Sequence, residues 1–117
     1  MRDRHAAEAR GRRGETIAAW YLRLKGWRIL DQRVRTRVGE VDLIARRGGL
    51  IAFVEVKTRA SDAELDLAID ERRLARVAAA ADLLLPRYAV NGEDVRIDVI
   101  LIVPGRVPRH IEHAWMG

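Results

Sequence analysis

Three residues on two neighbouring apolar runs have the types and spacing to do chemistry. They are Asp42 in GEVDLIAR and Glu55 and Lys57 in LIAFVEVKTR. The runs meet at Gly48-Gly49 and read as a β-hairpin, with strands near Glu40–Arg46 and Leu50–Thr58. Side chains two apart share a strand face, so Glu40, Asp42 and Ile44 point one way, as do Phe53, Glu55 and Lys57. A two-residue loop, with glycine accepting positive φ at both positions, pairs Arg47 with Leu50. That register sets Asp42 opposite Glu55 and Glu40 opposite Lys57. A four-residue loop keeps it, whereas three or five residues would shift it. Val41, Leu43, Ala45, Ala52, Val54 and Val56 then form the opposite, apolar face.

Glu40–Lys57 reads as a cross-strand ion pair. Asp42–Glu55 does not, because like charges directly opposed are destabilising. Either one carboxyl is protonated or a cation sits between them. Two converging carboxylates suit Mg²⁺ or Mn²⁺, which take oxygen ligands from carboxylates, waters and phosphate. The backbone carbonyl of Val56 would add a ligand, and Lys57 would stand beside the metal without binding it. These are the parts that phosphodiester hydrolysis needs: a metal to activate water and polarise phosphate, and an ammonium to stabilise the added charge. The plain alternative is a solvated strand face, where Asp, Glu and Lys are common.

The rest of the chain must position these groups. Ala6 to Lys25 has helical spacing, with Ile17, Trp20, Tyr21 and Leu24 as its apolar stripe and Gly26 as its stop. Trp20, Tyr21 and Trp27 are expected in the core. WRILDQRVR reads as a first strand. Ser61-x-x-Glu64 resembles a capping box opening a short helical turn. Asp70 then caps a longer helix with Leu74, Val77, Ala81 and Leu84 inward, ended by Pro86. VRIDVILIV (Val95 to Val103) is a fourth strand, apolar enough for burial on both faces, and RHIEHAW supplies a short last one. The expected fold is a single α/β domain over residues 1–117, flexible over residues 1–8. A central mixed sheet is flanked by helices in the order α-β-β-β-α-β-(β).

Composition narrows the function classes. Hydrophobic residues make up 49% and charged residues 33%, as in a globular chain. There are no cysteines, which excludes disulfides and thiolate metal sites. No apolar run reaches the ~18 residues of a membrane span, and the start lacks a secretory h-region. A cytoplasmic protein without membrane contact is the expectation. The net charge is +5 and the pI near 10.6, which suits a polyanionic partner. Arginine supplies nearly all of it, lysine occurring only at Lys25 and Lys57, so genome composition would also account for the charge.

Asp42, twelve intervening residues and then Glu55-Val56-Lys57 resemble the signature of the PD-(D/E)xK nuclease superfamily. The wider pattern is GRRGETIAAWYLRLKGWRIL, GEVDLIAR, LIAFVEVKTR, an Ala/Leu-rich helix and RIDVILI. It resembles the YraN-like bacterial family of uncertain function over most of the chain. The resemblance implies a restriction-endonuclease-like fold similar to Holliday-junction resolvases, a metal-dependent nuclease acting on DNA, branched or junction DNA included, and a homodimer. It adds Glu15, in the family's GE position, as a further catalytic carboxylate. It makes Glu40 a ligand, a residue supporting the ligands, or the partner of Lys57. The family often has a lysine early in the second helix, where this chain has Arg72-Arg73. If that lysine only contacts phosphate, arginine serves; if it takes part in chemistry, the exchange is not conservative. A non-catalytic nucleic-acid-binding or protein-interaction module of nuclease ancestry remains the alternative, since fold is not function.

Arginines flank these residues. Arg10, Arg12 and Arg13 precede Glu15, Arg33, Arg35 and Arg37 recur at period two on one strand face, and Arg59 follows the Glu55–Lys57 strand. Arg12, Arg13, Arg35, Arg37, Arg59, Arg72 and Arg73 are the candidate phosphate contacts. His110 and His113 lack a third ligand, so no zinc site is expected. Asp98 either pairs with an arginine such as Arg96 or supports the site.

Overall fold

The computed structural model describes residues 4–60 and 70–115. The elements run α1 (Arg4–Leu24), β1 (Arg28–Thr36), β2 (Gly39–Arg47), β3 (Leu50–Thr58), α2 (Glu71–Tyr88), β4 (Asp94–Ile102) and β5 (Arg109–Ile111). The five strands form one mixed sheet in sequence order. All neighbours are antiparallel except β3 and β4, whose parallel pairing is bridged by α2, as a crossover requires. The expected α-β-β-β-α-β-β order is the observed one. The capping box and short helical turn expected from Ser61 lie outside the described residues.

The helices cover opposite faces of the sheet. α2 presents Leu74, Val77, Ala80, Ala81 and Leu84 to Val34, Ile44, Ile51, Phe53, Ile97 and Val99. Asp70 caps it, its carboxylate accepting from the Arg72 and Arg73 N–H groups. Pro86 does not end it; the helix runs on to Tyr88. A proline this close to the C-terminus breaks only one late hydrogen bond. β4 is buried on both faces from Ile97 onward.

The buried side of α1 differs from the expected stripe. Ala18, Ala19 and Leu22 are buried, whereas Ile17, Leu24 and Trp20 (59% exposed) face outward. The cause lies one turn earlier, at Gly14. A Cβ there would meet Thr58 Oγ1 at 2.5 Å, so the helix lies too close to β3 for bulk. Alanines pack beside it at Ala18 and Ala19, Leu22 is buried two turns on, and Ile17, Trp20 and Leu24 turn away. Trp27 is buried beside Leu22 as expected. In the hairpin, Arg47 pairs with Leu50 and the predicted register holds up to Leu43–Val54. Only Gly48 takes a positive φ, 61°, so a single glycine makes this turn.

Candidate functional site

The regular pairing of β2 fails at Asp42. In the β1–β2 ladder, Gln32 pairs with Leu43 and Val34 with Val41, but the Arg33–Asp42 rung between them is missing, and Arg33 has φ 52°. On the other side, pairing with β3 stops at Leu43–Val54. Alternation slips at the same point: Val41 packs under α2 with Ile44, while Leu43 packs under α1. Val41 therefore leaves the face it was expected to share with Leu43 and Ala45. The strands open here, and the Asp42 side chain fills the gap, its Oδ2 accepting the Val56 N–H at 2.7 Å. Asp42 thus reaches β3 without standing in a ladder pair with Glu55.

The opening also removes the expected Glu40–Lys57 pair. Glu40 Oε2 instead accepts from Arg35 Nε at 3.3 Å. Lys57 Nζ lies 3.3 Å from Glu55 Oε1, and Arg73 Nε from α2 donates to that same oxygen at 2.6 Å. Glu55 is 2% exposed, so both cations serve a carboxylate almost withdrawn from water. Lys57 is itself buried, and that burial pushes its ammonium below the usual lysine range, against the opposing pull of Glu55.

Asp42 is treated differently. Burial, and then the charge of Glu55, raise its carboxyl to about 7; the Val56 N–H works against this, and Glu15 and Glu40 add to it. The sequence-predicted carboxylates therefore do converge on Asp42. Glu15, Glu40, Asp42, Val56, Thr58 and Arg73 line one cavity of about 380 Å³ with Gly11. Glu40, Asp42, Glu55 and Arg73 line another of about 230 Å³ with Gly39, Arg76 and Val77. Glu40, Asp42 and Arg73 belong to both. Glu15 reaches the site because Gly14 brings α1 against Thr58, and it is held by Arg33 Nε at 2.6 Å. Among the described residues, no group of three Asp, Glu, His or Cys side chains is arranged to hold a metal ion. A cation here would take Asp42 and Glu55, with main chain, water and phosphate completing the shell. Mg²⁺ is commonly held in that way, so the donor set fits it.

The antiparallel register puts the C-terminal ends of β1 and β3 and the start of β2 at one end of the sheet. Arg35 and Arg37, Arg59, and the Arg72 and Arg73 at the start of α2 lie at this end, and Arg12 and Arg13 adjoin Gly11 on α1. Arg33, Arg35 and Arg37 do not share a strand face: Arg33 sits at the irregularity, and Arg37 lies in the turn beyond β1. The side chain of Arg10 lies outside the described residues.

Asp98 supports the fold. Fully buried, it accepts from Arg96 Nε (2.9 Å) and Nη2 (3.2 Å), from His110 Nε2 (2.7 Å) and from the His113 N–H (3.0 Å). These contacts fasten the β5 segment to β4. A cavity of about 570 Å³ under the far half of α2 carries Asp82, Glu93 and Asp94 beside Leu85, Ile97 and Trp115. It is larger than either site cavity, and Arg96 and His113 also line it.

Sequence reasoning missed three contributors. Thr58 lines the site and receives α1. Gly39 backs onto Arg76, 3.3 Å from where a Cβ would meet its carbonyl oxygen, and lets α2 come close. Arg76 lines the smaller cavity. Only Arg76 left a signal, being one helical turn after Arg73 on the same face.

Fold and site define a single-domain α/β protein with a buried Asp–Glu pair and a lysine where two strands of a mixed sheet part. A model of the Uncharacterised protein family UPF0102 matches residues 14–102, from the glycine under α1 to the end of β4. A UPF0102 protein of Sphingopyxis alaskensis is 63% identical over 112 residues, covering 96% of this chain and 97% of the relative. One from Rhizorhabdus wittichii is 64% identical over 117 residues, covering 100% and 99%, and one from Mesorhizobium japonicum is 50% identical over 115 residues, covering 97% and 92%. The chain belongs to the UPF0102 family.

Proposed function

We propose that this protein is a Mg²⁺- or Mn²⁺-dependent nuclease of restriction-endonuclease-like ancestry, hydrolysing phosphodiester bonds in DNA, branched or junction DNA included. The observation that carries the reading is geometric: two buried carboxylates, Asp42 and Glu55, border one cavity where β2 and β3 part, with Asp42 anchored on the Val56 N–H. The fold retains a buried like-charge pair that an apolar or amide substitution would relieve, and such arrangements concentrate at functional sites.

Asp42 and Glu55 would hold the cation, with the Val56 main chain beside them. When bound, the cation would polarise a phosphoryl oxygen and ease deprotonation of water. Lys57 faces the same point from β3; its ammonium would stabilise charge gathering on the phosphate and orient the attacking water. Its lowered affinity for protons makes it a readier proton donor than a surface lysine. Glu15 and Glu40 add negative charge around Asp42 and favour a cation there. Arg12, Arg13, Arg35, Arg37, Arg59 and Arg72 would hold flanking phosphates without reading sequence.

One observation favours a second reading, a nucleic-acid-binding or protein-interaction module without catalysis: Glu55 is already neutralised by Arg73 and Lys57. Labelled duplex, flap, junction and single-stranded DNA incubated with Mg²⁺, Mn²⁺ or EDTA separate the two. Metal-dependent cleavage abolished by Asp42→Asn supports the nuclease. Salt-sensitive binding without cleavage or metal uptake supports the module.

A further inference from the structure

Four carboxylates surround the site, and three have a basic partner. Arg33 holds Glu15, Arg35 holds Glu40, and Lys57 and Arg73 hold Glu55. Among the described contacts, Asp42 has no ion pair and feels Arg73 only through space. The cations on Glu55 differ in kind. Lys57 grows from the same strand two residues on and is buried with its partner. Arg73 reaches in from α2, its side chain is 52% exposed, and it lines both cavities. It can leave for water without disturbing the core, and it stands where Asp42 and Glu55 both border the open space.

We propose that Arg73 is a gate: its guanidinium and a divalent cation compete for Glu55, and once displaced the guanidinium turns to the phosphate of the bound nucleic acid. The inference rests on the metal-site reading above. Before the cation arrives, Arg73 balances a carboxylate that would otherwise be almost unhydrated and answered only by Lys57. Afterwards, Glu55 is neutralised by the cation, and a guanidinium beside two cationic groups is repelled. A phosphate oxygen is the partner its fork fits best. Arg73 then does two jobs in sequence with one side chain: it keeps the vacant site folded, and it couples cation uptake to substrate grip.

Calorimetric titration of the full chain with MnCl₂ tests the competition, comparing wild type with Arg73→Gln, Arg73→Lys and Asp42→Asn. Removing a half-exposed competitor should tighten Mn²⁺ binding in Arg73→Gln about fivefold. Arg73→Lys, which keeps the charge but loses the fork, should fall between it and wild type, and carries the comparison alone if Arg73→Gln does not fold. Asp42→Asn should lose binding. The second readout is polarisation of a labelled duplex with and without Ca²⁺. Wild type should gain DNA affinity on adding Ca²⁺, and Arg73→Gln should gain several-fold less. Equal or weaker Mn²⁺ binding by Arg73→Gln would overturn the gate while leaving the metal site standing. No Mn²⁺ binding by wild type and Arg73→Gln alike would overturn both.

Discussion

Replacing Asp42 by Asn should make the protein more stable at neutral and alkaline pH, by an amount that depends on pH in a defined way. Asp42 is 8% exposed, and its carboxyl is raised from the ordinary 3.8 to about 7 by burial and by Glu55. Below pH 3.8 the group is protonated whether the chain is folded or not, so ionisation costs nothing. Between 3.8 and about 7 the unfolded chain releases the proton while the folded chain keeps it, and stability falls as pH rises. Above about 7 the loss is complete. At 1.36 kcal/mol for each pH unit, the whole span sets a ceiling of about 4 kcal/mol. Water entering where β2 and β3 part, and small side-chain shifts, should bring the measured value to about 2–3 kcal/mol. Asn keeps an oxygen for the Val56 N–H, so that hydrogen bond survives and the comparison isolates the charge. Urea unfolding of both proteins at pH 4.5, 6 and 8 gives the difference, since carboxylates remote from Asp42 titrate in both and cancel, and the remainder includes the coupling of Asp42 to Glu55, Glu15 and Glu40. The curves should separate progressively from pH 4.5 to 8. Adding 10 mM Mg²⁺ at pH 8, roughly a saturating level for such sites, should raise wild type and leave Asp42→Asn unmoved. A variant less stable than wild type at pH 8, or a difference flat with pH, would refute the reasoning.

Further outcomes follow from the same contacts. Lys57→Met should lower the cleavage rate about 10²- to 10³-fold while Mn²⁺ affinity measured by calorimetry changes only slightly, as expected of a group serving the transition state. Gly14→Ala should destabilise the fold by about 1–3 kcal/mol in thermal or urea melts, because its Cβ would meet Thr58 Oγ1 at 2.5 Å. Gly11→Ala, in open space on the same helix, should stabilise by about 0.5–1 kcal/mol, and Thr58→Ala should restore most of the Gly14→Ala loss in a double-mutant cycle. Asp98→Ala should cost about 3–5 kcal/mol by stranding Arg96 and His110, yet leave Mn²⁺ affinity unchanged if the protein is titrated where it remains folded.

What could be read from the sequence followed the range of the interactions. The hairpin register depends on the loop at Gly48-Gly49 and on alternation, both local, and it is found as far as Leu43–Val54. The pattern fails beyond Leu43 because residues near Asp42 answer to partners that alternation does not foresee. Arg33 turns to Glu15 on α1, Val41 to the α2 side of the sheet, and Glu40 to Arg35 instead of Lys57. Periodicity assumes that a strand stays regular, and Asp42 is where this one does not. The α1 stripe was misread for a related reason. Hydrophobicity alone favoured Ile17, Trp20 and Leu24, but the close approach at Gly14 turns α1 so that Ala18, Ala19 and Leu22 face the sheet. In both places the departure from the simple rule brings charged groups together at the end of the sheet. A regular β2 would have stacked Asp42 on Glu55 in a ladder pair and tied Glu40 to Lys57, leaving the carboxylates locked in cross-strand contacts. Opening the strands frees Lys57 for Glu55, admits Arg73 from α2 and leaves Asp42 without an ion pair among the described contacts. The irregularity is therefore the step by which a β-hairpin becomes a site, and Asp42→Asn probes the strain that remains in it.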